Sequence, residues 1–188
     1  MSSMKYRKRL KKEMERARTR FRKHRQRNLL ATPGQHHFII VLDHLKASYN
    51  VPKIFRSAEA LGAREVHLVG IDYFDPAPAM GAFRHVPARF HSDFDACYAD
   101  LVGRDYTLIA LTLENAVPLP EALIPKYTAF VFGHEAFGIS FDPARYDRVQ
   151  TVSIPQFGAV QSMNVSNAAS IVMYDYVRRH NPEFRRLA

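Results

Sequence analysis

Downstream of Phe38 the chain alternates short apolar runs with longer segments whose apolar residues recur at helical intervals. The runs occupy residues 38–42, 65–69, 106–112 and 127–132, and a fifth ends at Val152 and Ile154. Short runs of this kind read as parallel strands buried on both faces. Between the first two, residues 50–62 place Val51, Ile54, Phe55, Ala58 and Leu61 on one helical face. Asn50 is expected to cap this helix, Pro52 is tolerated in its first turn, and Gly62 ends it. Residues 92–101 read as a further helix, 86–90 as extended chain, and Met80-Gly-Ala82 as a short turn. After Ile154, Pro155 stops the strand and Gly158 is expected to turn the chain. Asn164 then caps a helix running to about Arg179, with Val165, Ala168, Ala169, Val172 and Tyr176 on its apolar face. Small residues from Ser166 to Ser170 imply close packing against its first turns. Strands alternating with helices predict an α/β domain, a parallel sheet with helices on both faces.

Upstream of this pattern the chain changes character. Residues 4–27 contain no Gly or Pro, and Leu10, Met14, Ala17 and Phe21 form a thin stripe at helical spacing. Thirteen cations surround it: Lys5, Arg7, Lys8, Arg9, Lys11, Lys12, Arg16, Arg18, Arg20, Arg22, Lys23, Arg25 and Arg27, against Glu13 and Glu15. Subtracting these from 27 basic and 18 acidic residues leaves 14 and 16, so the body is near neutral and the extension carries the net charge of +9. The division expected is a basic helical extension over 1–30, a linker over Thr32–Gln35, and one domain over 36–188. A basic helix of this kind tracks a phosphate backbone. It can also lie on an anionic membrane, for which the stripe is narrow. No apolar run approaches the roughly 20 residues of a membrane span. Cys97, the single cysteine, excludes an intrachain disulfide, suits a reducing cytoplasm, and reads as a buried small hydrophobe.

Polar residues gather where strands end, the place where open α/β sheets bind ligands. Three loops qualify: 50–56, 133–140 and 154–164. Gly133-His-Glu-Ala-Phe-Gly138 is neither a dinucleotide fingerprint nor a P-loop. Ser162 lacks a nucleophile elbow. The nine histidines show no zinc-like spacing with Cys97, so no metal is expected.

Together the three loops resemble a known family. Residues Asn50-Val-Pro-Lys-Ile-Phe-Arg-Ser-Ala-Glu-Ala-Leu-Gly-Ala63, Phe130-Val-Phe-Gly-His-Glu-Ala-Phe-Gly-Ile-Ser140 and Ile154-Pro-Gln-Phe-Gly-Ala-Val-Gln-Ser-Met-Asn-Val-Ser-Asn-Ala-Ala169 are similar, in order and spacing, to the motifs of SpoU/TrmH-type RNA 2′-O-ribose methyltransferases of the SPOUT superfamily. His134, Gln156 and Met163 depart from that pattern. The resemblance implies a sheet whose C-terminal part forms a deep trefoil knot. It implies S-adenosylmethionine (SAM) held near Leu111, Thr112, Gly133, Ile154 and Met163. It implies a homodimer, and methyl transfer to a ribose 2′-hydroxyl of RNA. Arg56, Asn50, Glu135, Ser162 and Asn164 take the catalytic positions. Arg56 is expected to orient the hydroxyl and stabilise the developing alkoxide, because a guanidinium is a poor base. With the basic extension as recognition device, transfer RNA fits better than ribosomal RNA. Two alternatives stand beside this reading. One is a non-catalytic RNA-binding module of the same fold, which cofactor binding separates. The other is a nucleotide-dependent oxidoreductase, against which the missing glycine fingerprint counts.

Overall fold

The computed structural model describes residues 2–184, so Met1 and the last four residues of the expected 36–188 domain lie outside the described residues. Seven strands form one parallel sheet. They are β1 (Ile39–Asp43), β2 (Glu65–Val69), β3 (Ala88–His91), β4 (Thr107–Leu111), β5 (Val117–Pro118), β6 (Thr128–Phe132) and β7 (Val149–Ser153). Their order is β3-β2-β1-β6-β4-β7-β5, and every neighbouring pair is parallel. Helices α1 (Ser2–Asn28), α2 (Asn50–Ala60), α3 (Phe94–Val102) and α4 (Val165–His180) complete the frame.

The unbroken apolar run of β1 serves two cores at once. Phe38, Ile40 and Leu42 face the larger core, under α1, α2 and α4. Ile39 and Val41 face the smaller one, with Phe94, Cys97 and Leu101 of α3. Helices therefore cover both faces, as the pattern predicts. Cys97 is fully buried in the smaller core.

Three local expectations change. Tyr49, not Asn50, occupies the N-cap position of α2, with no side-chain cap bond, because the Asn50 side chain is engaged elsewhere. Gly158 does not adopt a positive φ, and a Cβ there would meet nothing within 4 Å, so that bend does not depend on glycine. The two-residue strand β5 has no signal in the apolar pattern. Gly62 does end α2, at φ +65, and Asn164 does cap α4, accepting from Ser166 N–H at 2.9 Å.

The basic extension is a helix from Ser2, and its two halves differ. Ala17 and Phe21 are buried, whereas Leu10 and Met14 are exposed. Phe21 sits among Tyr73, Phe74, Phe83 and Phe90, with ring centroids 5.2–6.4 Å away. Arg20 holds Asp75 through two hydrogen bonds of 3.1 and 2.9 Å. Buried Asn28 donates to the carbonyls of Phe83 and Val86 and accepts from Ala88 N–H. The second half of α1 thus belongs to the core of the body.

Between β4 and β6 the chain runs out to β5 at the sheet edge and returns through 119–127 to the centre. Carbonyls of this returning segment accept from the end of α4. Arg179 donates to Leu119 O (2.7 Å) and Ala122 O (3.0 Å), and Tyr176 Oη to Lys126 O (2.6 Å). The His180 ring lies 3.0 Å from Ile124 O. Among the described residues, no helix is long and apolar enough to cross a membrane.

Candidate active site

The carboxyl ends of β6, β4 and β7, adjacent in the sheet, open into a cavity of about 740 Å³. Leu111 and Thr112 line it from the end of β4, Phe132 and Gly133 from β6, and Ile154 from just after β7. Glu135, Ser162, Met163 and Asn164 close it from the two loops, and Val165 and Ala168 from α4. All five positions expected to hold a cofactor therefore meet in one place. So do three of the five expected catalytic residues.

The loop after β6 is a tight hairpin. His134 and Gly138 exchange backbone hydrogen bonds of 2.8 Å in both directions. A methyl at Gly133 would overlap backbone atoms of Gly138 and Ile139, so only glycine lets the chain fold back this closely. Fully buried Asp43, the last residue of β1, anchors the far end of the loop. It accepts from Ser140 N–H at 2.6 Å and Ser140 Oγ at 2.9 Å, and lies 2.7 Å from His44 Nδ1. Sequence reasoning missed Asp43. The available signal was an acid closing an otherwise apolar strand.

A polar chain crosses the rim of the cavity. Asn164 Nδ2 donates to Asn50 Oδ1 (3.2 Å), and Asn50 Nδ2 donates to Glu135 Oε1 (2.9 Å). Glu135 Oε2 accepts from the backbone N–H of Lys46 (3.2 Å). Asn164 Oδ1 meanwhile accepts from Ser166 N–H and Ser166 Oγ. One asparagine therefore fixes the start of α4 and its register against α2. Burial would push the Glu135 carboxyl up. Hydrogen bonds from Asn50, from its own backbone N–H and from Lys46 outweigh burial and hold it below the usual carboxylate range. Glu135 is thus ionised at neutral pH, an acceptor and a weak base.

Arg56 does not line this cavity. It is exposed on α2, in a neighbouring groove with Lys53, Ser57, Ser166 and Asn167. Ser57 Oγ and Ser170 Oγ lie 2.9 Å apart across the floor of that groove. Helix α2 is thus what packs against the small residues of α4. Of the thirteen cations on α1, Arg20 is held by Asp75, Arg25 lies 4.2 Å over the Phe90 ring, and Arg9 pairs with Glu13.

Comparison with known proteins places this geometry in context. Residues 37–174 match the model of the SpoU rRNA Methylase family. The tRNA (guanosine(18)-2′-O)-methyltransferase of Thermus thermophilus is 31% identical over 145 residues, covering 74% of this chain and 74% of the relative. The enzyme of the same name from Escherichia coli K12 is 31% identical over 144 residues, covering 74% of this chain but 62% of its own length. A solved structure concerned with 2-OH methylation of C/U34 on tRNA matches with a TM-score of 0.67 at 27% identity, over 78% of this chain and 97% of that one. The SpoU methyltransferase AviRb from Streptomyces viridochromogenes, solved with AdoMet, shares the fold, with a TM-score of 0.69 at 24% identity over 79% of this chain and 59% of that one.

Proposed function

Because the chain belongs to the SpoU rRNA methylase family, we propose that it is a SAM-dependent methyltransferase acting on a ribose 2′-hydroxyl of RNA, with transfer RNA as the substrate. The observation that carries this reading is convergence. Segments 111–114, 133–139 and 154–164, far apart in the chain, enclose one cavity with the ionised carboxylate of Glu135 at its rim. The relatives that match at 31% identity are named for 2′-O-methylation of transfer RNA.

The cavity suits SAM. Its size falls in the range of small-molecule sites, about 300–1,000 Å³. Leu111, Phe132, Ile154 and Met163 offer an apolar bed for an adenine, and Thr112 and the backbone beside Gly133 offer polar groups. SAM supplies a methyl group activated on a sulfonium sulfur. The residues of the chain do the rest. Glu135, kept ionised, accepts hydrogen bonds at the rim. Asn50 and Asn164, tied to it and to the α4 cap, hold both loops in register with α2. Ser162, exposed on the cavity wall, is free to meet the ribose. Arg56, in the adjoining groove, binds the neighbouring phosphate and stabilises the alkoxide as the hydroxyl loses its proton.

Four further features belong to this reading. Segment 119–126, bonded across the end of α4, is the loop through which the C-terminal part of the chain is threaded as a trefoil knot. Exposed Ile171 and Tyr174 on the outward side of α4, which share an apolar groove with Leu119 and Pro120, supply the contact of a homodimer with the active site close to the interface. The first half of α1 carries the cations that engage RNA, and the protein works in the cytoplasm. Single-turnover methylation of unmodified transfer RNA with labelled SAM, followed by mapping of the modified ribose, tests the function. SAM binding without transfer to any RNA would favour the non-catalytic module instead.

A further inference from the structure

At the other end of the strand order, on the α3 face of the sheet, three side chains converge that play no part in the candidate active site. His67 comes from β2, His91 from the end of β3, and Cys97 from α3. His67 Nδ1 lies 3.1 Å from His91 Nε2 and 3.7 Å from Cys97 Sγ. The donor atoms of all three lie within 4.8 Å of one another, and among the described residues no other group of three or more His, Cys, Asp or Glu side chains does so. His67 and Cys97 are fully buried, and His91 is half-buried at the edge strand.

The two separations from His67 Nδ1 match those around a tetrahedral ion. Zinc binds imidazole nitrogen at about 2.05 Å and thiolate sulfur at about 2.3 Å, which puts two nitrogens about 3.3 Å apart and nitrogen and sulfur about 3.6 Å apart. Both observed distances fall within a few tenths of an ångström of those values. The outer nitrogen of His67 is committed as well. Its Nε2 lies 3.0 Å from Glu65 Oε2, and Glu65 is itself paired with Arg104 at 2.9 Å and Arg89 at 2.8 Å. A carboxylate so paired accepts, so Nε2 carries the proton and the Nδ1 lone pair faces His91 and Cys97. A carboxylate behind an imidazole is the arrangement that orients histidine toward a metal. Asp100 Oδ2, 4.0 Å from His67 Nδ1, stands near the fourth position, which it or a water can fill.

We propose that His67, His91 and Cys97 bind one zinc ion. Two imidazoles and a thiolate are borderline-soft donors, the set that zinc prefers. The ion fastens three elements, β2, β3 and α3, at an edge of the sheet where β3 has only one neighbour. Its role is structural, because the ligands lie across the sheet from the SAM cavity. Binding displaces the Cys97 thiol proton to solvent, so affinity falls as pH drops.

The test uses the full chain, stripped by a chelator under reducing conditions and titrated with Co²⁺ as a spectroscopic probe. The proposal expects one equivalent per chain, a thiolate-to-cobalt charge-transfer band, and displacement of that band by Zn²⁺. Cys97→Ser removes the band. His91→Ala, at a half-buried strand end where folding is preserved, weakens cobalt binding by about tenfold or more. Zn²⁺ raises the melting temperature of the parent and not that of His91→Ala. Absence of a charge-transfer band at stoichiometric cobalt overturns the proposal and leaves a metal-free hydrogen-bond cluster. So does cobalt affinity unchanged in His91→Ala, whether or not Cys97→Ser folds.

Discussion

Deleting residues 1–15 separates RNA binding from folding, because the boundary falls between the exposed and the docked halves of α1. The deletion removes Lys5, Arg7, Lys8, Arg9, Lys11 and Lys12, six of the thirteen cations, together with Glu13 and Glu15. It spares Ala17, Arg20, Phe21 and Asn28, which join the helix to the body. If all six cations contact phosphate, the slope of log K against log salt falls by up to about 5, at about 0.9 per contact for a duplex. Melting temperature and SAM affinity should hold. Cutting at residue 28 instead would confound the experiment. Phe21→Ala alone should cost about 3–5 kcal/mol, the range for deleting a buried phenylalanine, limited above by the free energy of docking the helix. That is a large fraction of the 5–15 kcal/mol that holds a typical domain together. The assays are fluorescence anisotropy with transfer RNA across 50–200 mM salt, thermal melts, and calorimetry with SAM. An unchanged salt slope in the 1–15 deletion would show that the projecting half touches no phosphate. An unchanged melt in Phe21→Ala would refute the docked helix.

Arg56→Ala should lower single-turnover methylation by about a hundred- to thousand-fold, the usual loss of one transition-state donor, and leave SAM affinity within a few-fold. Arg56→Lys should rescue it poorly, since a point charge lacks the planar fork. Near-parental turnover in Arg56→Ala would sink the assignment. Gly133→Ala should abolish SAM binding in calorimetry, because the added methyl overlaps the Gly138–Ile139 backbone. Burial pushes the Glu65 carboxyl up, but hydrogen bonds from His67 and Arg104 and the charges of Arg104 and Arg89 hold it at about 2 instead of 4.5. A carboxyl depressed on folding stabilises above its ordinary value and loses that contribution as pH falls through 4.5 toward 2. The gap corresponds to about 3 kcal/mol. In metal-free protein, urea melts at pH 6 and pH 3 should therefore differ more in the parent than in Glu65→Gln. Light scattering at micromolar concentration should return about twice the 21.6 kDa chain mass. A monomer there would contradict the dimer.

Much of the sheet was legible because burial on both faces leaves so plain a mark. β2 and β6 fall where their apolar runs do, and the Asn164 cap and the Gly62 terminus act through local chemistry. What the pattern could not carry was partnership across the fold. Asn50 has the composition of a cap, but Glu135, 85 positions away, engages its amide instead. Phe21 reads as one stripe position among four, and only the tertiary structure supplies the rings that distinguish it from Leu10. His67, His91 and Cys97 have no motif spacing, because strand pairing and not sequence proximity brings them together. β5 is too short for any periodicity to register. The residues that line the cavity became legible through their motifs, although no motif could show that Arg56 opens onto a different groove from Glu135.

The place of β6 in the sheet has a consequence for how the protein is made. The strand that separates β1 from β4 is the sixth of seven to leave the ribosome. Until residue 132 has emerged, β1 lacks a neighbour on one side and β4 lacks both of its partners. The stretch 38–42, apolar on both faces, thus stays partly open through most of synthesis. The α4 cover arrives later still, after residue 165. Assembly cannot advance outward from a finished N-terminal nucleus, because the middle of the sheet is filled from the last third of the chain. Half-made copies present the edge-exposed, slow-closing parallel pairs that depend most on protection from one another.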